Sequence, residues 1–123
     1  MAIESSQFRQ LLEAREVVVV DAIRQHLDDA GREHRAGGLP DVMDTKDSAF
    51  RDTMNTIRQA GLIREAEELE DIRGALARID AGRYGVCIVC GEHIPEARLK
   101  AWPTAKRCRP CQEEREAEKR RGH

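Results

Sequence analysis

The sequence predicts a mainly α-helical protein: a long antiparallel coiled-coil hairpin, followed by a small module built on four cysteines and a short terminal helix. Three observations support this fold class. Charged residues make up 36% of the 123 positions and aromatic residues only 3%. Two long segments carry apolar residues at helical spacing. All four cysteines lie in two pairs near the C-terminal end.

The composition indicates long solvated helices that bury one narrow apolar stripe, because so few aromatic side chains cannot fill a large globular core. The formal net charge is −2. We therefore expect no general attraction of the whole chain to nucleic acid.

The first predicted helix covers residues 5–34. A serine at position 5 or 6 can cap its start, and two glycines and a proline within residues 37–40 end it. The apolar residues recur at steps of three, four or seven: Phe8, Leu12, Val19, Ile23, Leu27 and Ala30.

The second predicted helix begins at Asp44 or Thr45 and ends at about Ala81. Its apolar residues again follow near-heptad steps: Phe50, Met54, Ile57, Leu62, Leu69, Ile72, Leu76 and Ile79. Two such helices joined by a short loop predict an antiparallel coiled-coil hairpin over residues 1–81, with its tip at about 36–49. An arm of about 35 residues would reach about 50 Å.

The cysteines form two C-x2-C pairs, Cys87 with Cys90 and Cys108 with Cys111, separated by residues 91–107. This spacing is typical of a four-thiolate structural zinc site, in which the metal is bound tetrahedrally. The alternatives are two disulfides or four unconnected buried thiols. We expect one zinc ion and a zinc finger with a C-terminal helix at 82–123, the helix itself running from about Gln112 to Arg121.

The expected compartment is the cytoplasm, where thiols stay reduced and zinc is favoured over disulfides. No apolar leader opens the chain, and the longest apolar run, residues 17–20, is too short to span a membrane.

A catalytic role is not expected, since the sequence has no Gly-rich phosphate loop or nucleophile motif. Four thiolates also leave zinc no open position for water. His93 lies between the two cysteine pairs and could in principle bind the metal, but four cysteines already fill its coordination sites.

Three aspartates recur every third residue at the predicted tip: Asp41, Asp44 and Asp47. The structural interpretation is that they cap the second helix and complement its dipole. Three carboxylates are more than capping requires, however. They also lie at the one end of a long hairpin that could enter a narrow cavity.

The cysteine module resembles the zinc finger of the DksA/TraR family. Residues 84–91 read Tyr-Gly-Val-Cys-Ile-Val-Cys-Gly, and the resemblance continues through Ile94, Arg98, Leu99, Ala101, Pro103, Thr104, Ala105, Cys108 and Cys111. Residues 44–49 match the Asp-x-x-Asp-x-Ala tip motif of that family. With the preceding hairpin, the resemblance covers nearly the whole chain.

The resemblance implies a bacterial transcription regulator that binds RNA polymerase, without sequence-specific binding to DNA. It implies a coiled-coil tip, carried here by Asp44, Asp47 and Ala49, that enters the secondary channel of the polymerase and modulates initiation. It also implies that the four cysteines bind zinc. The single apolar stripe of the hairpin favours a monomer.

The resemblance departs from the family at the site for the alarmone ppGpp. Members that respond to ppGpp contact it with basic residues, whereas the corresponding positions here are Asp71, Trp102 and Gln112. We therefore expect this chain to lack that effector site, since charge-assisted phosphate contacts would be lost.

Two other functions stay open from the sequence. A nucleic-acid-binding zinc ribbon would contact phosphates through the cations Arg98, Lys100, Lys106, Arg107 and Arg109. A thiol-based redox sensor would release zinc when its thiolates are oxidised.

Overall fold

The computed structural model describes residues 5–36 and 45–122, with side chains at all of these positions except 30, 32–36 and 45–47. These residues form four helices: α1 (Ser5–Ala36), α2 (Thr45–Asp80), α3 (Glu96–Ala101) and α4 (Arg109–Arg121). No strand occurs within these ranges, where the one β-bridge joins Val86 and His93. The mainly α prediction is confirmed.

The helix boundaries agree with the sequence except around the cysteine module. Helix α4 begins at Arg109, three residues before the predicted start, because Pro110 is tolerated in the first turn of a helix. Helix α3 was not predicted, since six residues are too few to show an apolar period. None of the helices in the described ranges is long and apolar enough to cross a membrane.

The chain forms two compact units, and both long helices contribute to each. The first unit combines the start of α1, as far as Arg15, with the chain from Asp71 onward. The second unit is Glu16–Glu70. The predicted domain boundary between residues 81 and 82 divides the chain differently and stays a prediction.

The first unit contains a continuous set of buried side chains. In α1 these are Phe8 and Leu12, and in α2 they are Ile72, Ala75 and Ile79. The cysteine module adds five more: Tyr84, Cys87, Ile94, Leu99 and Ala105. On the surface, the guanidinium of Arg9 lies 2.6 Å from a carboxylate oxygen of Asp80. The start of α1 therefore lies beside the end of α2, as an antiparallel pair requires.

The second unit has a much thinner core. Val19 is 1% exposed, whereas Leu27 and Phe50, both assigned to the apolar stripes from sequence, are 54% and 67% exposed. A polar pair also lies between the helices, with His26 Nδ1 3.0 Å from Glu65 Oε2. In this unit the apolar contact between the two helices is narrow.

Candidate metal centre

The first cysteine pair follows directly from the way α2 ends. The backbone N–H of Gly82 donates to Ile79 O at 3.1 Å, and that of Arg83 donates to Arg78 O at 2.8 Å. Gly82 has φ +71°, the left-handed conformation that lets glycine end a helix without a Cβ clash. This turn directs the chain out of the helix and into the cysteine module.

A tight hairpin then presents Cys87 and Cys90. The N–H of Cys87 donates to Glu92 O at 2.8 Å, and the N–H of Gly91 donates back to Cys87 O at 3.0 Å. Gly91 has φ +78°, so a residue with a side chain would be strained there. The N–H of Val89 donates to Cys87 Sγ at 3.4 Å, a contact that favours the thiolate form.

The second cysteine pair lies at the start of α4. Cys108 is the residue that precedes the helix, and Cys111 lies in its first turn, where Gln112 N–H donates to Cys108 O at 2.9 Å. The two pairs are joined by a backbone hydrogen bond from Ile88 N–H to Lys106 O at 2.9 Å. The helix start thus sets the Cys108–Cys111 spacing.

These elements bring the four cysteine sulfurs together within 4.8 Å of one another. The Cys90 and Cys108 sulfurs are 3.7 Å apart. Four sulfurs about 2.3 Å from a tetrahedrally bound zinc ion would lie about 3.8 Å apart, so the donor set and its spacing fit zinc. His93 is not part of this cluster, and its backbone pairs with Val86 instead.

The crowded thiols have pKa values that spread in opposite directions. Burial opposes ionisation of Cys87, but backbone N–H donors at Cys90, Cys108 and Val89 outweigh it and lower the pKa to about 6. The pKa of Cys111 is raised to about 12, first by its side-chain hydrogen bond with Cys108 and then by burial. Four thiolates this close repel one another, and a divalent cation at their centre offsets that repulsion.

One aromatic residue packs the cysteine module on α1. The ring of Tyr84 lies 5.3 Å from that of Phe8 in α1, measured between centroids. The hydroxyl of Tyr84 donates to Pro103 O at 2.7 Å. Burial raises the pKa of Tyr84 to about 12, while the nearby charge of Arg78 opposes the rise. Tyr84 therefore links the first turns of α1 to the loop after α3.

Sequence reasoning missed a cation–aromatic contact beside the metal centre. The guanidinium carbon of Arg98 lies 5.2 Å from the ring centroid of Trp102, and Arg98 Nε donates to Arg107 O at 3.3 Å. The i, i+4 spacing of Arg98 and Trp102 could have indicated it, but only after α3 had been recognised as a helix.

The predicted tip residues lie at the edge of the described structure. Asp41 and Asp44 fall outside the described residues. Asp47 lies in the first turn of α2, and its side chain is not among those described. Ala49 lies in the same helix and is exposed. Their assignment as the working tip stays a prediction.

The cysteine module matches a known family of zinc fingers. The family described as the prokaryotic dksA/traR C4-type zinc finger matches residues 82–117. The RNA polymerase-binding transcription factor DksA of Haemophilus influenzae is 30% identical over 105 residues, which cover 85% of this chain and 68% of that protein. The chain belongs to the DksA/TraR family. The prediction of one structural zinc ion is confirmed by this C4 family and by the sulfur cluster.

The fold of the DksA/TraR family also extends beyond the finger. Transcription factor DksA2 from Pseudomonas aeruginosa superimposes with a TM-score of 0.76 and 29% identity, covering 94% of this chain and 85% of that one. An uncharacterized protein of Aquifex aeolicus is 48% identical over 54 residues, or 44% of this chain. That match spans only 37% of the Aquifex protein's length.

Proposed function

We propose that this protein is a bacterial transcription regulator that binds RNA polymerase and inserts the tip of its coiled-coil hairpin into the secondary channel to modulate initiation. The observation that carries the proposal is the relationship to a DksA protein that is named for binding RNA polymerase and that aligns with 85% of this chain. The fold similarity to DksA2 over 94% of the chain supports it.

The arrangement of the molecule is suited to such a role. Helices α1 and α2 contain 32 and 36 residues, far longer than the average helix of a globular protein. Asp44 directly precedes α2 in the sequence, and Asp47 lies in the first turn of that helix. In this proposal the zinc finger stabilises the first unit, and the carboxylates of Asp44 and Asp47 act near the catalytic centre of the polymerase.

We assign no catalytic role to the protein itself. A zinc ion held by four thiolates has no open coordination position, and the relatives are transcription factors. The proposed location is the cytoplasm, with the protein acting as a monomer.

The proposed regulator acts without ppGpp bound to its second helix and zinc finger. The carboxylate of Asp71 lies 4.0 Å from Lys106 Nζ and would repel a polyphosphate. The amide of Gln112 donates to Glu116 at 3.1 Å and adds no positive charge. Transcription assays with and without ppGpp test this point, and we expect the protein's effect to be the same in both.

The decisive experiment separates binding from effect. Wild type, Asp47→Asn and the control Asp52→Asn are compared for polymerase pull-down and for transcription from a ribosomal promoter. Asp52 is exposed in the same helix, so the control removes an equal charge five residues away. We expect all three proteins to bind and only Asp47→Asn to lose the effect on transcription. A crosslinker at position 47 should capture polymerase residues that line the channel.

Two results would overturn the proposal. One is a wild-type protein that does not bind polymerase. The other is retained binding with promoter output that neither wild type nor Asp47→Asn changes. If Asp52→Asn loses the effect as fully as Asp47→Asn, the specific role of the tip motif is wrong.

A further inference from the structure

An uneven distribution of charge lies around the second cysteine pair. Residues 97–112, which we call the basic segment, contain five cations and no aspartate or glutamate, in a chain whose net charge is −2. The cations are Arg98, Lys100, Lys106, Arg107 and Arg109. The whole segment belongs to the first compact unit.

The metal centre accounts for only part of this charge. A Zn²⁺ ion with four thiolates carries a net charge of −2, so two cations suffice to balance it. Three of the five positive charges in the segment are then in excess. Carboxylates elsewhere in the protein or an external anion can neutralise this excess.

The carboxylates that the structure provides are weak partners. Lys100 lies 3.9 Å from Glu96, with 69% and 61% of the two side chains exposed. Arg109 lies 3.1 Å from Glu113, with 81% and 65% exposed. Ion pairs between side chains this exposed contribute little stability, so a polyanion can displace the carboxylates readily.

An exposed indole accompanies these cations. Trp102 is 41% exposed, and the guanidinium of Arg98 lies over its ring at 5.2 Å from the centroid. The backbone N–H of Trp102 donates to Arg98 O at 2.8 Å, and the side-chain Nε of Arg98 donates to Arg107 O at 3.3 Å, which holds the guanidinium in place. An exposed aromatic ring beside a cation, within a basic segment, is the combination by which proteins bind single-stranded nucleic acids, whose bases stack on the ring.

We propose that the basic segment binds single-stranded nucleic acid without sequence specificity, with an unpaired base stacked on Trp102 and phosphates contacted by the surrounding cations. This activity goes beyond polymerase binding and does not depend on it. A duplex offers phosphates but no free base face, so it is the weaker ligand. An acidic protein surface offers carboxylates without a base to stack.

Trp102 also makes the proposal directly measurable, because it is the only tryptophan in the chain. The zinc-loaded full-length protein is titrated with a short oligothymidylate while tryptophan fluorescence is followed. We expect quenching at low salt, with affinity falling as salt rises. With about three phosphate contacts, the logarithm of the binding constant should fall with a slope of about −2 against the logarithm of the salt concentration.

Matched charge reversals test which residues are involved. Lys100→Glu and Arg109→Glu should each weaken oligothymidylate binding about fivefold or more at low salt. The control Lys119→Glu makes the same charge change at an exposed position of α4 outside the segment, and its affinity should stay within about twofold of wild type. Trp102→Ala, followed by anisotropy of a labelled oligonucleotide, should lose about tenfold. Zinc content and circular dichroism confirm that each variant is folded.

Three results would overturn the proposal. The first is an absence of quenching and binding at the lowest salt. The second is equal weakening by Lys119→Glu and by the two reversals within the segment, which would indicate a general charge effect. The third is binding of a duplex or of dextran sulfate as tight as that of oligothymidylate, which would exclude base stacking. Because the assay contains no polymerase, its failure leaves the proposed regulatory function untouched.

Discussion

The two compact units differ sharply in how they bury apolar surface. The first unit buries side chains from α1, α2 and the zinc finger, and Leu12, Ile72 and Leu99 are at most 1% exposed. In the second unit, Val17, Ile57 and Ile63 are each more than half exposed. The same two helices thus have a packed core over one part of their length and a thin apolar contact over the other.

This difference indicates that most of the apolar stabilisation of the fold comes from the first unit. Two helices alone can bury only one stripe each, because the opposite faces have no third element to cover them. The zinc finger supplies that third element, with Ile94, Leu99 and Ala105 fully inside. Three predictions test the contrast, beginning with the largest effect.

Loss of zinc should disrupt the first unit as a whole. Structural zinc contributes apparent free energies of about 10–16 kcal/mol in zinc-finger peptides, and here it would hold together the two cysteine pairs that position Ile94, Leu99 and Ala105 in the core. Cys87→Ser, or chelation of wild type, should abolish the near-ultraviolet dichroism of Tyr84 and Trp102, which both lie in this unit. Val89→Ser is the matched control, because that side chain is 65% exposed within the same hairpin.

The control should retain one zinc ion and an unchanged spectrum. If Cys87→Ser kept both the metal and the near-ultraviolet signal, zinc would not be what holds the first unit together.

Two isoleucines of α2 should respond very differently to truncation. Ile72 is 0% exposed in the first unit, whereas Ile57 is 56% exposed in the second. Ile72→Ala should lower the free energy of unfolding by about 2–5 kcal/mol, because it leaves a cavity. Ile57→Ala should change it by no more than about 0.5 kcal/mol, since little apolar contact is lost and alanine favours the helix.

Guanidinium denaturation followed by circular dichroism measures both values. Equal losses for the two variants would mean that the second unit is as well packed as the first.

The smallest effect concerns the pH dependence of the first unit. Burial raises the pKa of Tyr84 from 10.0 to about 12. The folded state therefore keeps the proton that the unfolded state releases, and stability should be unaffected below pH 10 and fall between about pH 10 and 12. Tyr84 is the only tyrosine, so phenolate absorbance reports its titration directly.

Tyr84→Phe is the matched variant. It should lose about 1 kcal/mol at neutral pH, because Pro103 O loses its hydrogen-bond donor, and it should lack the decline that Tyr84 causes at high pH. A phenolate midpoint near pH 10 in the folded wild type would contradict the prediction.

Much of the fold was predictable because its signals are local in sequence. The apolar spacing indicated both long helices, and the structure places them at Ser5–Ala36 and Thr45–Asp80. The C-x2-C spacing indicated a common metal site, and the four sulfurs do cluster. Periodicity could not show how deeply each apolar residue is buried. Leu27 and Phe50 were therefore assigned to the apolar stripes, although both side chains are more than half exposed in the structure.

The sequence by itself determined the helices, the positive-φ glycine that ends α2 and the four thiols that can share a metal, because each depends on residues within a few positions of one another. Only the tertiary structure decided which part of the helix pair has a packed core. It also decided that Tyr84 joins Phe8 to Pro103 and that Arg98 lies over Trp102. Those contacts depend on how separate segments pack together, and local patterns in the sequence do not reveal that packing.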